Sequence, residues 1–232
     1  HDLERRSALP SIKDIHYTAP AQPRQVRLDT VADCPASCLF CSGFSRIEGR
    51  RRSGIQMPFA LIEQIVNEIA AWPQPLYEII PVNYGEFWLR KDWYEILHLF
   101  ETRLPLTQIW SPSNGAAMTP EIVEKLCSVR TFRGINFSVN AHFKESYARI
   151  MDLPEWVILR VQDAIRQIRQ LRPDMAIWVS LVYNPAYMTE LEKELFRDFW
   201  TAQGVTVQLN SMSAMNFSWL KPLEEPVTLP CR

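Results

Sequence analysis

Hydrophobic and polar positions follow two periods that alternate along the chain. Short runs rich in β-branched and aromatic residues predict strands at residues 25–31, 77–84, 107–113, 135–140, 176–183 and 205–211. The stretches between them carry apolar residues at the spacing of a helix with one buried face, at residues 58–72, 91–103, 119–129, 156–171 and 189–203. Such alternation predicts a parallel sheet covered by helices.

Each strand-plus-helix step has the size of a βαβ unit, about 36 residues on average between residues 25 and 205. Periodicity alone fits both an open doubly wound sheet and an arc of a barrel. In both architectures ligands bind beyond the carboxyl ends of the strands. We therefore expect the chemistry in the residues that directly follow each strand. Local signals add Thr119 and Thr189 as helix N-caps, and Gly134 and Gly204 as helix C-caps before strands.

Composition excludes several classes of function. The chain has 232 residues with 25 basic and 26 acidic side chains, a formal charge of −1, which argues against a nucleic-acid binder that relies on bulk positive charge. No apolar run approaches the roughly 18 residues of a membrane span, and no secretory signal pattern is visible. A Rossmann fingerprint and a Walker loop are both missing from the sequence.

Three cysteines, Cys34, Cys38 and Cys41, lie within eight residues directly after the first predicted strand. Without an export signal, such clustering favours metal binding over disulfides. Structural zinc usually takes four ligands in two pairs, so zinc would need a further ligand, from His16, His98, Cys127 or Cys231. Three thiolates instead suit a four-iron cluster with one iron left open, since ordinary electron-transfer clusters use four cysteines.

The Cys-x3-Cys-x2-Cys spacing on this loop resembles the cluster motif of the radical SAM superfamily. The resemblance implies an α/β fold, a partial (β/α)6 TIM-type barrel, with a 4Fe–4S cluster on Cys34, Cys38 and Cys41 and S-adenosylmethionine (SAM) on the open iron. It also implies reductive cleavage of SAM to a 5′-deoxyadenosyl radical that removes a hydrogen atom from a substrate. Phe40 stands at the aromatic position that packs near the adenine in that family.

Further segments after the strands extend the resemblance. Tyr84-Gly85-Glu86 is similar to the family's GGE segment, whose backbone meets the SAM amino group, with Tyr84 in place of the first glycine. Asn114-Gly115 is similar to the TNG that closes the third strand, although a simple Asn-Gly turn has the same sequence.

After the fourth strand, Ser138 and Asn140 match the family's S-x-D segment, with Asn140 in place of Asp. Two residues apart, they are expected on one strand face, where they would bond the SAM ribose and carboxylate. Arg149 lies in a tail similar to E-x-Y-x-R-I and would pair with the SAM carboxylate, or alternatively form a surface salt bridge.

The chain divides into an N-terminal arm or linker at 1–24, a core at 25–216 and a connector at 217–232. Cys231 stands where the resemblance places the first ligand of an auxiliary cluster, in a C-terminal SPASM or twitch domain. The catalytic residues that quench the product radical are not indicated.

The expected function is that of a radical SAM enzyme, with a slight preference for a peptide substrate, as in ribosomal peptide maturation. An alternative is a dehydrogenase, epimerase or lyase acting on a small metabolite such as an aminoglycoside. Two others are a relative that has lost turnover and a non-catalytic, zinc-stabilised interaction domain. An oxygen-labile cluster implies a cytoplasmic protein with a reductant such as flavodoxin or ferredoxin, and we expect neither a nucleic-acid nor a membrane partner.

Overall fold

Six parallel strands form one sheet in the computed structural model, which describes residues 22–41 and 54–211. The strands pair in chain order, so each joins its sequence neighbour and β1 and β6 form the two edges. Their bounds are β1 Gln25–Arg27, β2 Glu78–Ile80, β3 Gln108–Ser113, β4 Phe132–Ser138, β5 Ala176–Tyr183 and β6 Thr206–Ser211. This order confirms the expected α/β partial barrel.

Six α-helices and one short 3-10 helix connect these strands in the described part of the chain. They are α1 Phe59–Ala70, the 3-10 helix Phe87–Leu89, α2 Trp93–Arg103, α3 Pro120–Ser128, α4 Lys144–Met151, α5 Trp156–Leu171 and α6 Glu190–Ala202. Five were expected from the periodicity, whereas α4 and the 3-10 helix were not. None of the helices within residues 22–41 and 54–211 is long and apolar enough to cross a membrane.

The predicted helix ends are largely confirmed. The side chains of Thr119 and Thr189 accept hydrogen bonds from backbone N–H groups three residues further on, and Gly204 has a φ of 71°. The interpretation of Gly134 as a helix C-cap is wrong, because this residue lies inside β4 and a Cβ there would overlap the Trp110 ring.

The core lies between the sheet and the helices. Helix α1 buries Ile62, Val66 and Ile69 against it, as its period predicts, while Leu61 of the expected stripe is 42% exposed. Cys127 is buried in α3, and burial raises the pKa of its thiol to about 11, as expected of a packed, unreactive cysteine. The arm at 1–24 lies almost wholly, and the connector with Cys231 wholly, outside the described residues.

Candidate cofactor site

A cavity of about 380 Å³ lies at the carboxyl ends of the strands. Its wall contains the side chains that the sequence analysis proposed for cofactor binding, Cys34, Cys38, Phe40, Cys41, Tyr84, Gly85, Glu86, Asn114, Ser138 and Asn140. Residues far apart in sequence meet here because parallel strands all end at the same edge of the sheet. Arg149 is not among the lining residues, and Cys231 lies outside the described residues.

The cysteine loop, residues 34–41, is fastened to the end of helix α4. The Ser37 N–H donates to the Met151 carbonyl at 3.1 Å, and the Leu39 N–H donates to the Ile150 carbonyl at 3.0 Å. The last carbonyls of a helix have no partner within the helix, so the loop supplies the donors they need. Helix α4 thereby fixes the position of the three thiols.

The three cysteines are half-buried, and no disulfide joins any of them to another described cysteine. The Cys38 sulfur lies 3.5 Å from the Met151 sulfur, and the Asn114 side-chain amide donates to the Cys34 sulfur at 3.5 Å. Within residues 22–41 and 54–211, no three His, Cys, Asp or Glu side chains are grouped so as to hold a single metal ion.

The turn after β2 needs glycine at position 85. A Cβ on Gly85 would overlap the Val31 carbonyl oxygen, because the backbone just before the cysteine loop passes directly against it. Next to it, the Glu86 N–H donates to the Asp33 carbonyl at 2.8 Å. The close approach therefore brings the turn after β2 into contact with the segment that leads into the cysteine loop, and contact of this turn's backbone with SAM stays a prediction.

Glu86 is a buried carboxyl group in the cavity wall, 2% exposed. It accepts hydrogen bonds from the Ser113 hydroxyl at 2.9 Å and from the Asn114 N–H at 2.8 Å. Burial nevertheless raises its pKa to about 7, outweighing these hydrogen bonds. No Lys or Arg among the described residues forms an ion pair with it.

Asn114 has both a turn and a site contact. Its side-chain oxygen accepts from the Ala116 N–H at 2.9 Å, which is the Asx-turn geometry expected of an Asn-Gly pair. Its side-chain amide points to Cys34. The turn is therefore confirmed, and Asn114 also lines the cavity, whereas its contact with SAM stays a prediction.

Asn140 lies beyond the end of β4 with a φ of 60°, so the alternation of strand faces does not relate it to Ser138. Its side-chain oxygen accepts from the Val182 N–H at 2.9 Å, and its amide lies 3.2 Å from the Met151 sulfur. The amide thus ties β4, β5 and α4 together at the cavity wall.

Arg149 is exposed and donates to the Tyr187 carbonyl at 2.5 Å. Its pairing with a SAM carboxylate stays a prediction. Tyr84, 50% exposed, lies at the mouth of the cavity.

Several residues in the cavity wall were not expected from the sequence. Met151 was not considered because the helix that carries it was not expected. Five more alternate along strand faces, and this period of two was the available signal: Asn136, Ser180, Val182, Gln208 and Asn210.

Comparison with known proteins relies on structure, because no family model and no curated protein matches this sequence. SuiB of Streptococcus suis bound to S-adenosylmethionine superposes with a TM-score of 0.65 at 14% identity, over 82% of this chain and 41% of that one. Native anSMEcpe with bound AdoMet gives 0.63 at 14% identity, over 82% and 51%. BtrN in complex with AdoMet and 2-DOIA gives 0.52 at 13% identity, over 69% and 58%.

These three proteins are radical SAM enzymes. This chain has the radical SAM fold. It spans about half the length of each of these solved structures.

The residues of this radical SAM fold suit the cofactors that the fold implies. Three thiols lie on one loop in the cavity wall, with no protein disulfide between them. Beside them, the buried Glu86 carboxyl has no ion-pair partner among the described residues. A buried carboxylate needs a cation or strong donors nearby, and SAM carries both an ammonium and a sulfonium group.

Proposed function

We propose that this protein is a radical SAM enzyme, in which Cys34, Cys38 and Cys41 hold a 4Fe–4S cluster and the adjoining cavity holds SAM. The observation that carries the proposal is the convergence of the three thiols and the buried Glu86 on one cavity at the carboxyl ends of the strands. Together, a reduced cluster and SAM supply the chemistry that removes a hydrogen atom from a substrate.

The residues of the chain have distinct tasks in this proposal. Glu86 faces the SAM ammonium, and a cation there would favour its ionised form and lower its pKa from about 7. Phe40 and Ser138, which both line the cavity, contact the adenosine. Asn140 acts by holding the cavity wall, since its side-chain oxygen already bonds to Val182.

The interior of the sheet is the proposed substrate chamber. A second cavity, of about 440 Å³, shares Pro112, Asn136 and Gln208 with the cofactor cavity and continues from it to the indoles of Trp110 and Trp178. A substrate entering there would lie beside SAM. Among residues 22–41 and 54–211, the charged side chains that line it are Arg27 and Glu78.

A peptide remains the favoured substrate. The protein anSMEcpe has been solved with AdoMet and the Cp18Cys peptide, and this structure superposes on 81% of this chain. BtrN, solved with 2-DOIA, covers 69%. A small metabolite is therefore the second candidate.

Partners follow from the chemistry. One electron must reach the cluster for each cleavage of SAM, so we propose a flavodoxin- or ferredoxin-type donor in the cytoplasm. Cys231 as a ligand of an auxiliary cluster in a SPASM or twitch domain remains a proposal of the same kind.

The experiment is anaerobic reconstitution with iron and sulfide, reduction, addition of SAM and an assay for 5′-deoxyadenosine. We expect iron and sulfide to bind and 5′-deoxyadenosine to form. Cys38→Ala should abolish both while leaving the helical circular dichroism intact. Cys127→Ala is the matched control, because this thiol is buried in α3 away from the cavity, and it should retain both.

A colourless protein that binds zinc would overturn the proposal and favour the interaction domain. Full 5′-deoxyadenosine formation by Cys38→Ala would overturn it as well. Substrate class is then tested by transfer of deuterium from labelled peptides or labelled aminoglycosides into 5′-deoxyadenosine.

A further inference from the structure

Arg90 is a buried cation close to the start of the cysteine loop. Its side chain follows the short 3-10 helix Phe87–Leu89 and is only 3% exposed. A buried guanidinium group needs acceptors for its N–H groups and a negative charge nearby. Asp92 supplies the charge and accepts from Arg90 Nε at 2.9 Å and from Nη2 at 2.7 Å. This ion pair leaves the third nitrogen, Nη1, for other contacts.

The Nη1 group of Arg90 donates to two backbone carbonyls. It bonds to the Thr30 carbonyl at 2.6 Å and to the Met57 carbonyl at 3.0 Å. Thr30 belongs to the lead segment, residues 29–33, through which the chain enters the cysteine loop. The Met57 N–H donates to the same Thr30 carbonyl at 2.9 Å. Arg90 therefore joins the lead segment both to its own part of the chain and to Met57.

The lead segment is bonded a second time to the turn segment, residues 83–90, which follows β2 and ends in Arg90. The Asp29 side chain accepts from the Asn83 N–H at 3.2 Å and from the Tyr84 N–H at 3.4 Å. Contacts at both ends of the turn segment thus hold it against the lead segment.

Glu86 lies between these two joints. The Leu89 N–H donates to the Glu86 carbonyl, and the Arg90 N–H donates to the Phe87 carbonyl, both at 3.1 Å. The Glu86 N–H donates to the carbonyl of Asp33, the last residue of the lead segment, at 2.8 Å. The position of Glu86 relative to the cysteine loop therefore depends on the joint that Arg90 closes.

This position matters for SAM because SAM would contact two separate parts of the chain. Its ammonium group faces Glu86, and the cluster that it binds is held by the cysteine loop. A displacement of about 1 Å between groups that act on one ligand can cost a factor of about one hundred. Arg90 is not among the described residues that line the cofactor cavity, so its effect on SAM must pass through the two joined segments.

We propose that Arg90, together with Asp92, is a positioning residue for SAM binding: it clamps the turn segment to the lead segment and so sets the separation between Glu86 and the cluster. The inference rests on the proposed function. An ion pair that only stabilises the fold would behave differently, since its loss would lower the free energy of unfolding and leave the SAM affinity of the folded, loaded protein unchanged.

Arg172 provides a matched control, because it forms the same kind of clamp elsewhere in the molecule. It bonds to Asp174, two residues further on, at 2.9 and 3.1 Å. Its Nη1 group donates to the Cys127 carbonyl at 3.2 Å and to the Val129 carbonyl at 3.1 Å. Arg172 is likewise not among the described residues that line the cofactor cavity. Lysine at either position keeps the charge but loses the planar fork, so both variants should lose stability.

The test compares wild type, Arg90→Lys and Arg172→Lys after reconstitution with iron and sulfide. SAM is titrated into each reduced protein, and the electron paramagnetic resonance signal of the cluster reports its binding. We expect equal iron content in all three proteins. The Kd for SAM should rise by about tenfold or more in Arg90→Lys and stay unchanged in Arg172→Lys. At saturating SAM, Arg90→Lys should recover most of the rate of 5′-deoxyadenosine formation, because the loss is one of binding.

Hydrogen exchange of the Glu86 N–H, followed by nuclear magnetic resonance, gives a second readout in the iron-free proteins. This N–H should exchange faster in Arg90→Lys than in wild type or Arg172→Lys. Asp29→Ala removes the other joint at an exposed position and should have the same effects on SAM affinity and on exchange. It decides the question if Arg90→Lys does not fold or does not bind iron.

An unchanged Kd for SAM in fully loaded Arg90→Lys would overturn the inference, and so would equal increases in Arg90→Lys and Arg172→Lys. Unchanged exchange of the Glu86 N–H in both Arg90→Lys and Asp29→Ala would contradict it as well. Failure of the proposed function is distinct, because wild type itself would then bind neither the 4Fe–4S cluster nor SAM, whereas the exchange measurement needs neither.

Discussion

Glu86 shows how a single buried carboxyl group can make the stability of the cofactor-free protein depend on pH. Its pKa is about 7 in the folded protein against an ordinary value of 4.5. The folded state therefore holds a proton that the unfolded state releases between these values. Stability from this group is fully present below pH 4.5 and is lost as the pH rises to about 7.

Glu86→Gln should remove that dependence. The amide keeps an acceptor for the Asn114 N–H and can pair with the Ser113 hydroxyl. The free energies of unfolding of the two iron-free proteins, measured in urea, should separate with rising pH. The mutant should gain on wild type by about 3 kcal/mol between pH 4.5 and 7, at 1.36 kcal/mol per unit of pKa. Parallel pH profiles would contradict the assignment.

Asn140 combines a left-handed backbone with a side-chain hydrogen bond, and two substitutions separate them. Asn140→Ala loses the bond to the Val182 N–H and also the tolerance of Asn for a positive φ. We expect a loss of about 2–3 kcal/mol in the free energy of unfolding. Asn140→Gly loses the same side-chain contacts but tolerates the positive φ, so it should be about 1 kcal/mol more stable than Asn140→Ala.

Chemical denaturation of the three proteins checks this order. If Asn140→Gly and Asn140→Ala destabilise the protein equally, the left-handed backbone at residue 140 contributes nothing to the difference in stability.

At the scale of elements, helix α4 is held at its start by a residue far away in sequence. The buried Glu192 of α6 accepts from the His142 and Phe143 N–H groups, both at 3.1 Å, and from the Ser146 hydroxyl at 2.9 Å. The N-cap residue of α4 supplies no such bond itself. Glu192 thus caps α4 from another element. Its carboxyl group also lies at the N-terminal end of α4, where the helix dipole is positive and stabilises an acidic side chain.

Glu192→Ala should destabilise the iron-free protein by about 3 kcal/mol, because it leaves buried donors without an acceptor. It should also lower the iron content after reconstitution, since α4 in turn anchors the cysteine loop. Glu192→Gln can satisfy the same donors and should retain most of both properties. The exposed Glu190→Ala serves as the control on the same helix turn, and a similar loss there would contradict the capping role.

The sequence predicts regular elements better than the elements that build the site. Helix α4 was missed because its eight residues are largely polar, and the group that caps it lies in α6. Strands β1 and β2 were expected over 25–31 and 77–84, yet only Gln25–Arg27 and Glu78–Ile80 pair in the sheet. Beyond them the chain leaves the ladder to form the cavity wall, a tertiary requirement that periodicity does not record.

The motif residues nevertheless lie together in the cavity wall. The three cysteines, Glu86 and Asn114 meet at the cavity because the topology brings the ends of β1, β2 and β3 to one edge. Sequence spacing could not predict which partner each side chain contacts. The Asn140 side chain accepts from the Val182 N–H, and Arg149 donates to the Tyr187 carbonyl.

At the scale of the whole molecule, indole rings join three neighbouring strands across the inner face of the sheet. Trp110 of β3 and Trp178 of β5 lie with ring centroids 5.0 Å apart, on either side of β4. Gly134, directly opposite Trp110 in the register, leaves the space that the Trp110 ring occupies. The wall of the proposed substrate chamber therefore depends on a missing side chain in its middle strand.

Gly134→Ala should consequently destabilise the protein by about 1–3 kcal/mol through overpacking against Trp110, and should displace the two indoles from each other. Unfolding free energies of Gly134→Ala, Trp110→Leu and the double mutant measure the coupling. Once the large ring is gone, alanine at 134 should be neutral or stabilising, because it restricts the unfolded chain more than glycine does. Additive losses would mean that the ring does not occupy the space above Gly134. A double mutant that is at least as stable as Trp110→Leu alone would show instead that β3, β4 and β5 form one packed wall. Substitutions in the chamber must then be made in compensating pairs.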